Sequence, residues 1–114
     1  MPSFKSSPAD GKTTAADTDI SVRVTPGGSA DVGLSLILSN VTTQTGTPQS
    51  IEASAKLVKS GGPTIYLADH WAIPAGGAWE VIEGRLNMEE GDELIVFSDE
   101  DNSLDALFSH MVYP

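Results

Sequence analysis

From residue 20 onward the chain alternates between apolar and polar positions. Ile20, Val22 and Val24 are separated by Ser21 and Arg23. Val32, Leu34, Leu36 and Leu38 are separated by Gly33, Ser35 and Ile37, with Ile37 the one apolar residue out of phase. A period of two turns one face of each run inward and leaves the other in water, which marks a half-buried strand. Pro26-Gly27-Gly28 lies between the runs. Proline presets φ and glycine accepts positive φ, so the two runs read as a hairpin, with Val22, Leu34 and Leu36 facing the core beside Val81. Gly33, inside the second run, marks a bulge or a close backbone approach.

Residues 40–50 contain Gly46 and Pro48 and read as a loop. In the segment 51–57 a strand places Ile51, Ala53, Ala55 and Leu57 on one face, whereas a helix leaves Leu57 off its apolar stripe, so the segment is predicted as a strand. Gly61-Gly62-Pro63 is a turn, followed by a short strand through Ile65 and Leu67. Residues 68–73 bridge to a second turn, Pro74-Ala75-Gly76-Gly77. Trp79 and Val81 share the next face, and Gly91-Asp92 turns the chain into the β-rich run 93–97. The last segment, 104–113, fits either period; Leu104, Ala106, Phe108 and Val112 as one strand face suit the surrounding strands better.

Seven or eight short strands at about ten-residue spacing predict an all-β fold, a single antiparallel β-sandwich or jelly-roll-like barrel. The stretch from Val24-Thr-Pro-Gly-Gly to Val32 echoes that from Ile73-Pro-Ala-Gly-Gly to Val81. The small vocabulary of turn residues accounts for such an echo better than pseudo-symmetry does. Residues 1–18 are rich in Ser, Thr, Ala, Asp and Pro, with Phe4 as the one aromatic. They are expected to form an extended, flexible arm ahead of a sandwich domain at 19–114.

Length and charge narrow the functions. A chain of 114 residues fits one domain, and without cysteine it has no disulfide framework, thiolate metal site or cysteine nucleophile. No apolar run is long enough for a transmembrane span, and the polar first twelve residues lack the apolar stretch of a secretory signal. Six Lys and Arg face sixteen Asp and Glu, a net charge of −10. That argues against a nucleic-acid partner, which needs a basic surface to displace counterions from phosphates.

No residue pattern announces catalysis. His70 and His110 are far apart in sequence and lack a second ligand at metal spacing; Asp69 beside His70 allows one His–carboxylate pair, but His70 reads as a loop residue beside Trp71 and His110 as a strand-end residue. No serine sits in a G-x-S-x-G elbow, and nothing places a base beside one. The run 99–105 spaces oxygen ligands as a calcium loop does, but Leu104 stands where the turn glycine is needed and His110 where the closing Glu is needed. It reads as a solvated acidic turn, with no cofactor or metal expected. Trp71, Trp79, Tyr66 and Tyr113 raise sugar stacking, but Trp79 reads as core and Trp71 as a loop plug or an interface anchor.

Three stretches, Ile73-Pro-Ala-Gly-Gly-Ala-Trp-Glu-Val, Leu86-Asn-Met-Glu-Glu-Gly-Asp-Glu-Leu and Ser103-Leu-Asp-Ala-Leu-Phe-Ser, carry a family resemblance. With Val22-Arg-Val-Thr-Pro-Gly-Gly-Ser-Ala-Asp-Val as a first hairpin, the region 18–113 resembles small β-sandwich proteins from the structural gene modules of tailed bacteriophages. The acidic turn at 99–105 and Trp79, where a smaller residue is usual, depart from that pattern. The resemblance implies a non-enzymatic virion component, a capsid decoration or cement protein docked on neighbouring subunits, and carries over no catalytic residue. It implies homo-oligomerisation and major capsid or neck and tail subunits as partners, located in the virion. A neck, collar or tail accessory, or a carbohydrate- or receptor-binding module with Trp71 and Tyr66 as stacking platforms, is the alternative. The expected partner-facing residues are Phe4 and Pro8 of the arm, its least soluble positions, and Trp71.

Overall fold

The computed structural model describes residues 2–114. Nine strands form two antiparallel sheets: β1 (Ser3–Gly11), β2 (Ile20–Val24), β3 (Ala30–Asn40), β4 (Ile51–Val58), β5 (Thr64–Ile73), β6 (Ala78–Glu80), β7 (Leu86–Met88), β8 (Glu93–Ser98) and β9 (Leu104–Tyr113). The front sheet has the order β1-β9-β3-β6, with β7 also on β3, and the back sheet has the order β2-β8-β4-β5. β6 and β7 pair with different stretches of β3, Ile37–Ser39 and Asp31–Gly33. Counted as one interrupted strand they leave eight, in orders 1-8-3-6 and 2-7-4-5, which is the jelly-roll arrangement.

The core lies between the sheets. Leu36 and Leu38 of β3, Ala106 and Phe108 of β9, Ala53 and Ala55 of β4, and Leu94 and Val96 of β8 meet there with little or no accessible surface. The predicted faces of 51–57 and 104–113 hold. One helical turn, α1 (Thr42–Thr45), interrupts the predicted loop at 40–50.

Several expectations change. The segment 1–18 was expected to be a flexible arm, but residues 3–11 form β1, in register with β9 from Ser3↔Val112 to Gly11↔Leu104. The linker that follows is tied down as well: Asp17 N donates to Ser98 O, and Ala16 N to the Asp101 carboxylate. Apolar content did not reveal β1 because small and polar groups anchor it. Ala9 and Gly11 are buried, and a Cβ on Gly11 would lie 1.9 Å from Leu104 O. Pro8 is tolerated because β1 is an edge strand.

The Pro26-Gly27-Gly28 turn makes no hairpin. It carries the chain from β2 in the back sheet to β3 in the front sheet, and Pro74-Ala75-Gly76-Gly77 carries β5 to β6 in the same sense. The internal echo therefore marks two equivalent back-to-front crossings. β4 and β5 form a true hairpin around Gly61-Gly62-Pro63, and β5 runs unbroken through the expected bridge at 68–73.

Leu34 does not face the core. Gly33 pairs with His110 and Ser35 with Ser109, so Leu34 is an extra residue in a bulge and is exposed. Past the bulge the alternation resumes in the opposite phase, which explains why Ile37 is exposed while Leu36 and Leu38 are buried. Gly33 also fulfils the second reading of its position, since a Cβ there would lie 2.7 Å from the Phe108 ring.

Trp79 is half exposed and not core. It stands on edge strand β6 and packs against Trp71 of edge strand β5, ring centroids 6.4 Å apart at 75°, while its Nε1 donates to Ala72 O at 2.9 Å. The two indoles link an edge strand of one sheet to an edge strand of the other.

On the outward face of the front sheet the register lays residues in rows. Phe4, Met111 and Val32 form one row, and Pro8, Leu107 and Ile37 another. Between them runs a row of serines, Ser6, Ser109 and Ser35. Asp10 and Asp105 lie beyond the Pro8 row, and Tyr113 lies beyond the Phe4 row.

Candidate functional site

Five polar side chains converge where β1, β2, β3 and β9 meet. The back-to-front crossing returns the chain over the end of β2, so Asp31 at the start of β3 faces Arg23 and Thr25. Arg23 grips the Asp31 carboxylate with two nitrogens, at 2.9 and 3.2 Å, and Thr25 Oγ1 donates to it at 2.7 Å. His110 Nδ1 lies 3.1 Å from Asp31 Oδ1, and His110 Nε2 lies 2.9 Å from Ser7 Oγ. The His110 ring stacks on Phe108 with centroids 4.7 Å apart. His110 and Asp31 expose no side-chain surface.

Burial pushes the His110 pKa down, against the pull of Asp31. Burial alone would raise Asp31, but hydrogen bonds from Arg23 and Thr25 outweigh it and hold the carboxyl below its usual value. The site is therefore an Arg–carboxylate pair with a neutral imidazole beside it. One tautomer satisfies both histidine contacts: Nδ1–H donates to Asp31, and Nε2 accepts from the Ser7 hydroxyl.

Ser7, His110 and Asp31 have the connectivity of nucleophile, base and orienting acid. Their surroundings differ from those of a working triad. The Asp31 charge is already matched by Arg23, the imidazole is sealed from solvent, and the larger surface hollows lie elsewhere. As built, the constellation is a brace that fastens the apolar-poor β1 and the end of β2 to the front sheet.

A second polar centre holds the turn before β8. Asp92, buried, accepts from Ser60 N at 3.0 Å and Glu89 N at 2.9 Å and pairs with Lys59. Other acids of the C-terminal third do similar work: Asp99 accepts from Glu52 N, Asp101 from Ala16 N, and Glu90 from Gly28 N. Much of the acidic run thus caps turns. Lys12 pairs with Asp105, which raises the lysine pKa.

The residues expected to face partners fall in two places. Phe4 (74% exposed) and Pro8 lie on the outward face of the front sheet, in separate rows. Trp71 lies at the opposite side, with Trp79 and His70 around a shallow hollow of about 460 Å³. Trp71 and Tyr66 form no common platform, because Trp71 pairs with inward Ala53 and Tyr66 with outward Lys56. Tyr66 packs instead on Phe97, whose ring also meets Lys56 and His70. His70, read from the sequence as a loop residue, lies within β5 at a bulge with φ 54° and pairs with Asp69 at 2.6 Å, which raises its pKa.

Sequence reasoning missed the brace. One signal was present: the face set by Leu104, Ala106 and Phe108 continues to His110, and an imidazole on an apolar face needs a buried partner. No protein-family model, curated protein or solved structure matches the chain.

Proposed function

We propose that the chain is a non-enzymatic structural subunit of a tailed-phage virion, of the capsid decoration type, that works by docking on neighbouring subunits. The observation that carries this reading is the distribution of exposed large apolar side chains. Five of the ten, Phe4, Leu34, Ile37, Leu107 and Tyr113, lie on the outward face of the front sheet. A patch of that kind on an otherwise acidic molecule favours protein contact. The jelly-roll order adds support by fold analogy, since that architecture recurs in virion proteins. The Trp71–Trp79 pair, aromatic and half exposed, offers a second anchor for a different virion protein.

Antiserum raised against the protein, applied to gradient-purified particles of the phage that encodes it, tests the reading. Signal on heads supports the decoration role, and signal on necks or tails supports the accessory alternative. Protein found only in the particle-free fraction overturns both. Covalent capture of Ser7 by a fluorophosphonate probe would overturn the non-enzymatic part.

A further inference from the structure

The outward face of the front sheet is unusual in a chain of net charge −10. Its three central rows carry no charge except Glu80 at the border, whose carboxylate is held by Ser35 Oγ and Leu36 N. Four strands about 4.8 Å apart and about nine residues of about 3.4 Å each present roughly 600 Å². Two copies would remove about 1,200 Å² from water, the lower edge of specific interfaces.

We propose that this face is an isologous homodimer interface, in which two front sheets stack about a twofold axis running along the serine row. The axis follows from charge. Rotation about the serine row lays the Phe4 row of one copy on the Leu107 row of its partner, so apolar meets apolar and serine meets serine. It also carries Asp10 and Asp105 onto the Tyr113 end of the other copy, and Glu80 onto Asn87, which pairs with Val32. A twofold axis along β9 would instead lay each row on itself and press Asp105 against its own image. Of these two arrangements, the first leaves no carboxylate facing a carboxylate. Each contact occurs twice, as isologous symmetry requires.

The inference rests on the same face as the proposed function and names a second copy of this chain as the neighbour that covers it, whereas the place where the protein works is a separate question. A dimer with no place in a particle upholds it while defeating the assembly reading, and a monomer that decorates heads does the reverse. The test uses the full chain, with native mass spectrometry and light scattering at about 100 μM, a concentration at which a dimer of micromolar Kd is populated. The parent is expected to be a dimer. Leu107→Asp, an exposed site whose change leaves the melting curve of the fold intact, is expected to weaken the dimer at least about 100-fold, because the charge enters the interface twice. Ser109→Cys, the only thiol in its chain, is expected to join two copies through a short bismaleimide, whereas Asp105→Cys on the front sheet and Ser21→Cys on the back sheet stay unlinked. A monomeric parent, a Leu107→Asp protein that remains dimeric, or linkage at Asp105 in place of Ser109 overturns the proposal.

Discussion

The imidazole of His110 and the carboxylate of Asp31 meet at 3.1 Å with no accessible surface on either side chain, although 79 residues separate them. The contact ties the last strand of the chain to the entry of its third. Arg23 supplies the positive charge that Asp31 requires, so His110 takes part as a neutral donor. Ser7 completes the line and brings in the first strand.

Removing the anion at the centre should be costly. Asp31→Ala strands a guanidinium and an imidazole nitrogen in the interior, and breaking a buried pair in this way typically costs about 3–5 kcal/mol. Urea denaturation should show that loss with an unchanged slope. A loss below about 1 kcal/mol would mean that water reaches Arg23 readily.

The two histidines should titrate on opposite sides of the ordinary value of 6.5. Asp69 raises His70, and burial lowers His110. For His110 the unfolded chain takes up a proton first as pH falls below 6.5, so stability declines on acidification from there. Asp31, lowered in the folded state, adds a further loss below 3.8. His70 acts in the reverse sense: its contribution is complete below 6.5 and is lost as pH rises through its raised value. NMR titration of the ring protons checks both directions, and His110→Gln should flatten the stability profile on the acid side of pH 6.5.

Leu36 and Leu34 alternate in the sequence as if they shared a face, yet a bulge separates their fates. Leu36→Ala should cost on the order of 2–5 kcal/mol. Leu34→Ala, at an exposed site, should stay within about 0.5 kcal/mol. Equal losses in thermal melts would place Leu34 back in the core.

Deleting residues 2–11 should unfold the edge of the front sheet. The deletion bares the β9 backbone and uncovers the buried His110, so the melting temperature should fall by at least about 10 °C. A truncated chain that melts with the parent would mean that β1 is only laid on the sheet.

Backbone periodicity carried the sandwich because β3, β4, β8 and β9 bury a continuous apolar face. It missed β1, where the inward residues are Ser7, Ala9 and Gly11 and the holding forces are ladder hydrogen bonds and one histidine contact. It misassigned the Pro26-Gly27-Gly28 turn, since turn chemistry states that the chain reverses and not which sheet it enters. Phe4 and Pro8, singled out in the sequence as the least soluble positions of their segment, are exposed on β1. The brace was not legible, because its members come from four strands and acquire their chemistry only when the sheets close.

The pairing of the first strand with the last also fixes an order of events during synthesis. Gly11 and Leu104 are register partners. At about 5–20 residues per second, β1 leaves the ribosome roughly 5–20 s before its partner exists. A strand rich in valine and isoleucine would spend that interval as an open, adhesive edge. The serines, the proline and the lysine of β1 let it stay solvated until β9 arrives. Newly made chains halted short of residue 104 should therefore hold the back sheet together while their first eleven residues remain open to protease.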